Sequence, residues 1–240
     1  MKTVKFFFIV VLITTVSAIN AQITLGVRGG LNLSNISSSE TEENDLLKSK
    51  LGFHAGLAAE YNLAPSMAVQ SGLFLTTKGA TMNETNTAEI GEDATLTMTA
   101  KATMNAMYLQ IPVHFAYKAD INSSMRFVVS AGPYVAYGVG GNSSAKLSYK
   151  TTGTIDSEIK EYIDNIVKEM QDELDDQKTK TFDKEDGLKP FDFGVGISGG
   201  FEFGKIVTKI GWDMGLINIA RDSETTAKNM NAYLTVGYNF

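Results

Sequence analysis

The chain has no cysteine and only two histidines, four prolines and one tryptophan. Without cysteine there is no disulfide scaffold, no thiolate zinc site and no acyl anchor of the lipoprotein kind. His54 and His114 are too few for a histidine-built metal centre. Basic residues also run short: 21 Lys and Arg against 27 Asp and Glu leave a net charge of −6, which argues against nucleic acid as a partner. No P-loop, dinucleotide fingerprint or metal motif is present, so no cofactor is expected. Nor is there an apolar run of the roughly 17–25 residues that a membrane-spanning helix needs.

The longest apolar run, residues 6–13, stands near the start, behind Lys2 and Lys5 and ahead of the small residues Ser17, Ala18 and Ala21. Basic flank, short apolar stretch and small-residue cleavage site predict a secretory signal peptide over 1–21, cut after Ala21. The exported mature domain is then 22–240, with no linker to suggest a second one.

What the mature chain has in plenty is period-2 alternation, the signature of strands. At the C-terminus Met230, Ala232, Leu234, Val236, Tyr238 and Phe240 share one face, and Asn229, Asn231, Tyr233, Thr235, Gly237 and Asn239 the other. Seven further segments alternate in this way, near 22–35, 51–62, 66–78, 104–118, 124–139, 190–203 and 205–219. Eight strands is an even number, as a closed up-and-down barrel requires. The connections alternate too: short turns at 62–65, 120–123 and 204–205, long segments at 36–50, 79–103, 140–189 and 220–228. Short turns on one rim and long loops on the other match a barrel of the bacterial outer membrane, with both termini on the periplasmic rim.

Charge decides which face points outward. No Asp, Glu, Lys or Arg falls on the apolar faces, where the chain-wide 20% would put about ten. The opposite faces are rich in Gly, Ser and Asn and carry Arg28, Glu60, Lys78, Lys118, Arg126, Asp192, Glu202, Lys209 and Asp213. A soluble barrel would have an apolar interior and a charged exterior; the inverse belongs in lipid, where each outward Arg or Lys costs roughly 2–4 kcal/mol at mid-bilayer. Aromatic residues gather at the strand ends: Tyr61, Tyr117, Phe127, Phe203, Tyr238 and Phe240 toward the periplasm, Phe53, Tyr137, Phe191 and Phe193 toward the outside. The expected fold is therefore all-β: an eight-stranded antiparallel up-and-down transmembrane β-barrel with short periplasmic turns and long extracellular loops.

Four short stretches carry a family resemblance: Gly26-Val27-Arg28-Gly29-Gly30-Leu31-Asn32, Tyr108-Leu109-Gln110-Ile111-Pro112, Ala131-Gly132-Pro133-Tyr134 and Gly237-Tyr238-Asn239-Phe240. The chain resembles the outer-membrane β-barrel family that includes the PorT-type proteins, often labelled porin family. The resemblance covers essentially the whole mature chain. Its motifs are structural rather than chemical, so it implies a place in the cell envelope and no catalytic residues. Phe240, with Tyr238 two residues earlier, resembles the signal read by the outer-membrane assembly machinery. The long segment 140–189 exceeds what the family leads one to expect.

That segment divides in two. Residues 145–152 are strand-like and extend the fifth strand beyond the membrane. From Ile155 to about Leu174, Ile155, Ile159, Tyr162, Ile163, Ile166, Met170 and Leu174 recur at helical spacing, behind the acids Asp156, Glu158 and Glu161 that favour a helix start. Residues 154–186 hold 12 acids and 5 lysines. This acidic insertion reads as a docking face for a protein partner, as ligands for divalent cations near lipopolysaccharide, or as a solvated helix capping the barrel mouth.

Two strands contain a proline, Pro112 and Pro133, where a lost donor predicts a bulge or a local opening of the ladder. A bulge at Pro112 would change the facing of His114. Both histidines are read as lumen-facing and hydrogen-bonded, which leaves no nucleophile and base within reach of lipid. The reading is a barrel with a structural or interaction role and no catalysis, in contact with outer-membrane lipid and lipopolysaccharide. Its rivals are a narrow pore for small solutes and a lipid-modifying enzyme. Glu60, Lys118, Arg126, Glu202 and Lys209 fall at similar depth near the periplasmic rim and are expected to pair into a layer that plugs the lumen. Arg28 and Asp213 lie higher and offer a further pair.

Overall fold

The computed structural model describes residues 22–38, 47–90, 93–176, 179–184, 187–222 and 225–240. The expected signal peptide, 1–21, lies outside the described residues. Along the chain run β1 (Ile23–Ser38), β2 (Leu47–Ala64), β3 (Met67–Glu89), β4 (Thr95–Asn122), β5 (Met125–Gly140) and β6 (Asn142–Thr152). Then come α1 (Ser157–Asp176), β7 (Thr179–Lys180), β8 (Phe191–Phe203), β9 (Ile206–Gly215) and β10 (Ala227–Asn239). Hydrogen bonding passes β3-β2-β1-β10-β9-β8-β5-β4, and the β3–β4 pairing closes the circle. Eight strands form the ring, every neighbouring pair antiparallel, while β6 and β7 stand outside it. Closure leaves the ring no unpaired edge.

The alternating faces point as the charges demand. Leu31, Leu51, Leu57, Ile197, Ile210 and Val236 stand exposed on the outer wall, and Asn32, His54, Glu60, Gln110, Asp192 and Asn231 are buried inside it. The aromatic residues expected at the interfaces face outward as well, Phe127 against Phe201 and Tyr238 against Phe240. Pro112 opens the β3–β4 ladder locally without a register shift, since Ser71 pairs with Val113 below it and Phe74 with Gln110 above. Ser71 Oγ donates to the Pro112 carbonyl at 2.8 Å, engaging part of the freed backbone. His114 therefore keeps its inward facing, buried to 7% exposure.

The segment 79–103, expected as a long loop, is mostly strand. β3 has 23 residues and β4 has 28, where a membrane crossing needs about 9–11. Their register runs unbroken from Met67↔Tyr117 up to Glu89↔Thr95, so the hairpin continues far above the bilayer. At Gly141, whose φ of 133° suits glycine, the strand is interrupted between β5 and β6, and β6 pairs with the upper part of β4. β6 keeps the place and register beside β4 that β5 leaves, Met104↔Ser143 following Met107↔Gly140, so the strand-like 145–152 does continue the fifth strand beyond the membrane.

The helix forms close to where the periodicity places it. Asp156 caps it: its Oδ1 accepts the Glu158 amide at 2.9 Å, and its carbonyl the Lys160 amide at 3.0 Å. α1 packs along β6. There Gln171 acts as a substitute strand, accepting from the Leu147 amide at 2.8 Å and donating to the Ala145 carbonyl at 3.4 Å. Two edge groups that would otherwise face water are covered in this way. We call the upper β3–β4 hairpin, β6, β7 and α1 the crown.

Candidate functional site

Three levels cross the lumen. Lowest, near the periplasmic turns, Lys118 reaches from β4 to Glu60 on β2 at 2.5 Å and to Glu202 on β8 at 3.0 Å. One ammonium thereby ties three strands. Gln70 bridges the layer, donating to Glu60 at 2.7 Å and accepting from Lys209 at 2.5 Å. Arg28 joins this level, within electrostatic reach of both glutamates, and its guanidinium donates to Asn239 Oδ1 at 2.6 Å and to the Tyr238 carbonyl at 3.2 Å.

Arg126, read from sequence as a member of this layer, finds another partner, and the further pair expected above the layer does not form. Arg126 is the ladder neighbour of Glu202, yet its side chain turns to Asp120 on the same short hairpin at 2.8 Å, both ends exposed to water. Glu202 already holds Lys118, so a second cation gains little by burial while an exposed acid is adjacent. Arg28 and Asp213 do not pair; Asp213 accepts from Gln110 Nε2 at 2.9 Å.

Above the layer lies a cavity of about 120 Å³, lined among others by His54, His114, Gln110, Asp213 and Thr235. The His54 ring is held at both nitrogens, by Asn32 Oδ1 at 2.7 Å and Thr235 Oγ1 at 2.9 Å. Among the described residues no group of three or more His, Cys, Asp or Glu is arranged to hold a metal ion.

The third level is a knot that sequence reasoning did not assemble. Lys78 on β3 and Asp192 on β8 meet at 3.1 Å with no exposure of either side chain. Asp192 Oδ2 also accepts from Asn229 at 2.9 Å and the Tyr134 hydroxyl at 3.2 Å. The Lys78 ammonium lies 4.3 Å from the Tyr134 ring centroid and 5.4 Å from that of Tyr108. Both charges were legible as inward-facing; nothing local says that strands separated by two others in the ring would bring them together. Over the knot, Phe182 packs edge-on against Tyr108, with ring centroids 5.2 Å apart. It fits because Gly138 offers no side chain there: a Cβ would stand 2.3 Å from the ring. Leu188, Ile219, Ala220 and Ala227 join it in a small apolar cluster with Ile36 and Ala80 across the outer mouth.

Outside the barrel, α1 leaves Ile159, Tyr162 and Met170 exposed among its acids. The Tyr149 hydroxyl of β6 donates to Asp164, and that bond to a carboxylate raises the phenol's pKa above its usual value.

An eight-stranded ring with an apolar outer wall and a charged, hydrogen-bonded interior is a transmembrane β-barrel of the bacterial outer membrane. The comparisons agree: residues 20–221 match the family described as outer membrane protein beta-barrel domain. The chain belongs to that family. The match stops short of β10, which closes the ring. No curated protein matches the chain in sequence. Similar solved structures include the attachment invasion locus protein Ail of Yersinia pestis, at 10% identity over 91% of this chain and 99% of that one, TM-score 0.36. OprG of Pseudomonas aeruginosa is 12% identical over 92% and 96%, TM-score 0.40. Neisserial surface protein A is 10% identical over 90% and 97%, TM-score 0.38.

Proposed function

We propose that this is a non-conducting, non-catalytic barrel of the PorT type whose work is done by its extracellular crown, in a structural or interaction role. The observation that carries the reading is the filled lumen. An ion-pair layer, a buried knot and an apolar cluster succeed one another along its axis, each joining strands from different sides of the ring. An eight-stranded interior is just wide enough for side chains to fill it. The acidic insertion 154–186, with the exposed Ile159, Tyr162 and Met170 of α1, supplies the docking face for a protein partner. Tyr238 and Phe240, exposed at the end of β10, serve as the signal for the assembly machinery, after removal of residues 1–21.

Single-channel recording in planar bilayers tests the first half: current near baseline is expected, and a stable large conductance would overturn it. Photo-crosslinking from position 162 in intact cells tests the second. A discrete protein adduct is expected, lost on charge reversal of the α1 acids; no adduct would remove the interaction role. A narrow pore is the second reading, favoured by the lumen cavity, and the same recording decides it.

A further inference from the structure

The outer face of the crown carries a basic, hydroxyl-rich surface on an otherwise acidic chain. Register alone defines it. Lys101 of β4 stands directly opposite Lys146 of β6, and Lys150 opposite Thr97. Lys48 of β2 pairs with Thr81, and Thr81 with Thr103 of β4. Between the lysines, Thr85 and Thr99 hydrogen-bond at 3.2 Å, and Thr87 and Thr97 at 3.1 Å, so these side chains lie side by side on one face. Among the described residues of β3, β4 and β6, the one acid on this face is Glu89. The acids of α1 lie on the other side of the sheet and along the β6 edge, where Tyr149 and Gln171 hold the helix.

Lys101 against Lys146 is an unfavourable arrangement: like charges directly opposite on a sheet repel. An anion bridging the two removes that cost. Position says which anion. The face continues upward from the lipid-facing column of the same strands, Leu73 on β3 and Leu109, Ile111 and Val113 on β4, all exposed. From Leu109 to Lys101 the strand climbs about 27 Å along its own axis, less once barrel tilt is included. The lysines and threonines therefore stand beside the headgroups of the outer leaflet. We propose that this face binds the phosphorylated saccharide headgroups of the surrounding outer-leaflet lipid, lipopolysaccharide. The lysines neutralise phosphate, and the threonine hydroxyls, which all keep acceptor capacity and in one member of each bonded pair a free donor, meet sugar hydroxyls.

The test uses the full-length barrel in lipid nanodiscs, titrated with purified lipopolysaccharide, with the same material after enzymatic dephosphorylation, and with dextran sulfate as a free polyanion. Near a charged membrane surface each lysine is worth roughly fivefold in affinity. The variant K101E/K146E/K150E should therefore bind intact lipopolysaccharide more than about tenfold more weakly. K160E/K168E, which changes lysines of α1 instead, should bind as the unmodified protein does. Added salt should weaken binding, and dephosphorylated lipopolysaccharide should bind poorly. The heat-dependent gel mobility of folded barrels establishes that each variant is assembled. Equal binding by the triple variant, or by the dephosphorylated lipid, would overturn the proposal. Binding of dextran sulfate in preference to lipopolysaccharide would overturn it also, in favour of a soluble polyanion.

Discussion

The lower and upper halves of β3 and β4 are the same strands in the same register, yet their binary patterns are opposite. In the barrel, the outward residues are apolar, as at Leu73, Leu109 and Phe115, and the inward ones polar, as at Gln70, Lys78, Gln110 and Lys118. In the crown, Thr85, Thr97, Thr99 and Lys101 point outward, while Met82, Leu96, Met98 and Ala102 share the face continuous with the lumen. The inversion falls near Lys78–Ala80 on β3 and Met104–Ala106 on β4, with no break in the pairing. It marks the bilayer boundary. Below it lipid surrounds the wall, so apolar atoms face out; above it water surrounds the sheet, and the apolar residues take the face toward α1, where Met82, Ala102, Leu147, Met170 and Leu174 line one groove. A strand's facing rule therefore belongs to its solvent, not to the strand.

The largest expected effect lies at the knot in the barrel half. Asp192→Ala leaves the Lys78 ammonium buried without a carboxylate, and the expected loss is about 3–5 kcal/mol. Urea unfolding in lipid, followed by the fluorescence of Trp212, measures it. K78M/D192N should recover much of that loss, because a pair removed together leaves no orphan charge. Next comes a matched test along the outward column of β3. Leu73→Arg should cost roughly 2–4 kcal/mol and lower outer-membrane yield, whereas Thr85→Arg should stay within about 0.5 kcal/mol. Equal yields would mean that one solvent surrounds the outward column of β3 along its whole length.

Smaller effects are expected at the β6 edge and the periplasmic rim. Gln171→Ala removes two hydrogen bonds from the β6 edge, worth about 1 kcal/mol each. The change should appear as faster hydrogen exchange at the Leu147 amide, with barrel unfolding unmoved. Arg126→Ala should cost less than about 1 kcal/mol, because its pair with Asp120 is exposed on the rim. A loss comparable to that of Asp192→Ala would return Arg126 to the lumen layer.

The crown hairpin escaped sequence reasoning for a physical reason. Its inward column is Met82, Ala88, Leu96, Met98, Ala100 and Ala102, interrupted by Glu84 and Asn86, so the apolar signal is weak. Threonine also reads equally well as loop or strand. The helix was legible because its stripe needs only local spacing and an acidic start.

By itself the sequence determined how many strands cross the membrane, which residues of each face lipid, and where the helix lies. These follow from periods of 2 and 3.6 residues, which adjacent positions already express. Only the tertiary structure decided which lumen charges meet: Lys118 with Glu60 and Glu202, Lys78 with Asp192, Arg126 with Asp120 and not with the layer. Partners across a barrel are set by depth. Depth depends on the tilt and shear with which all eight strands close, a property of the ring that no single strand encodes.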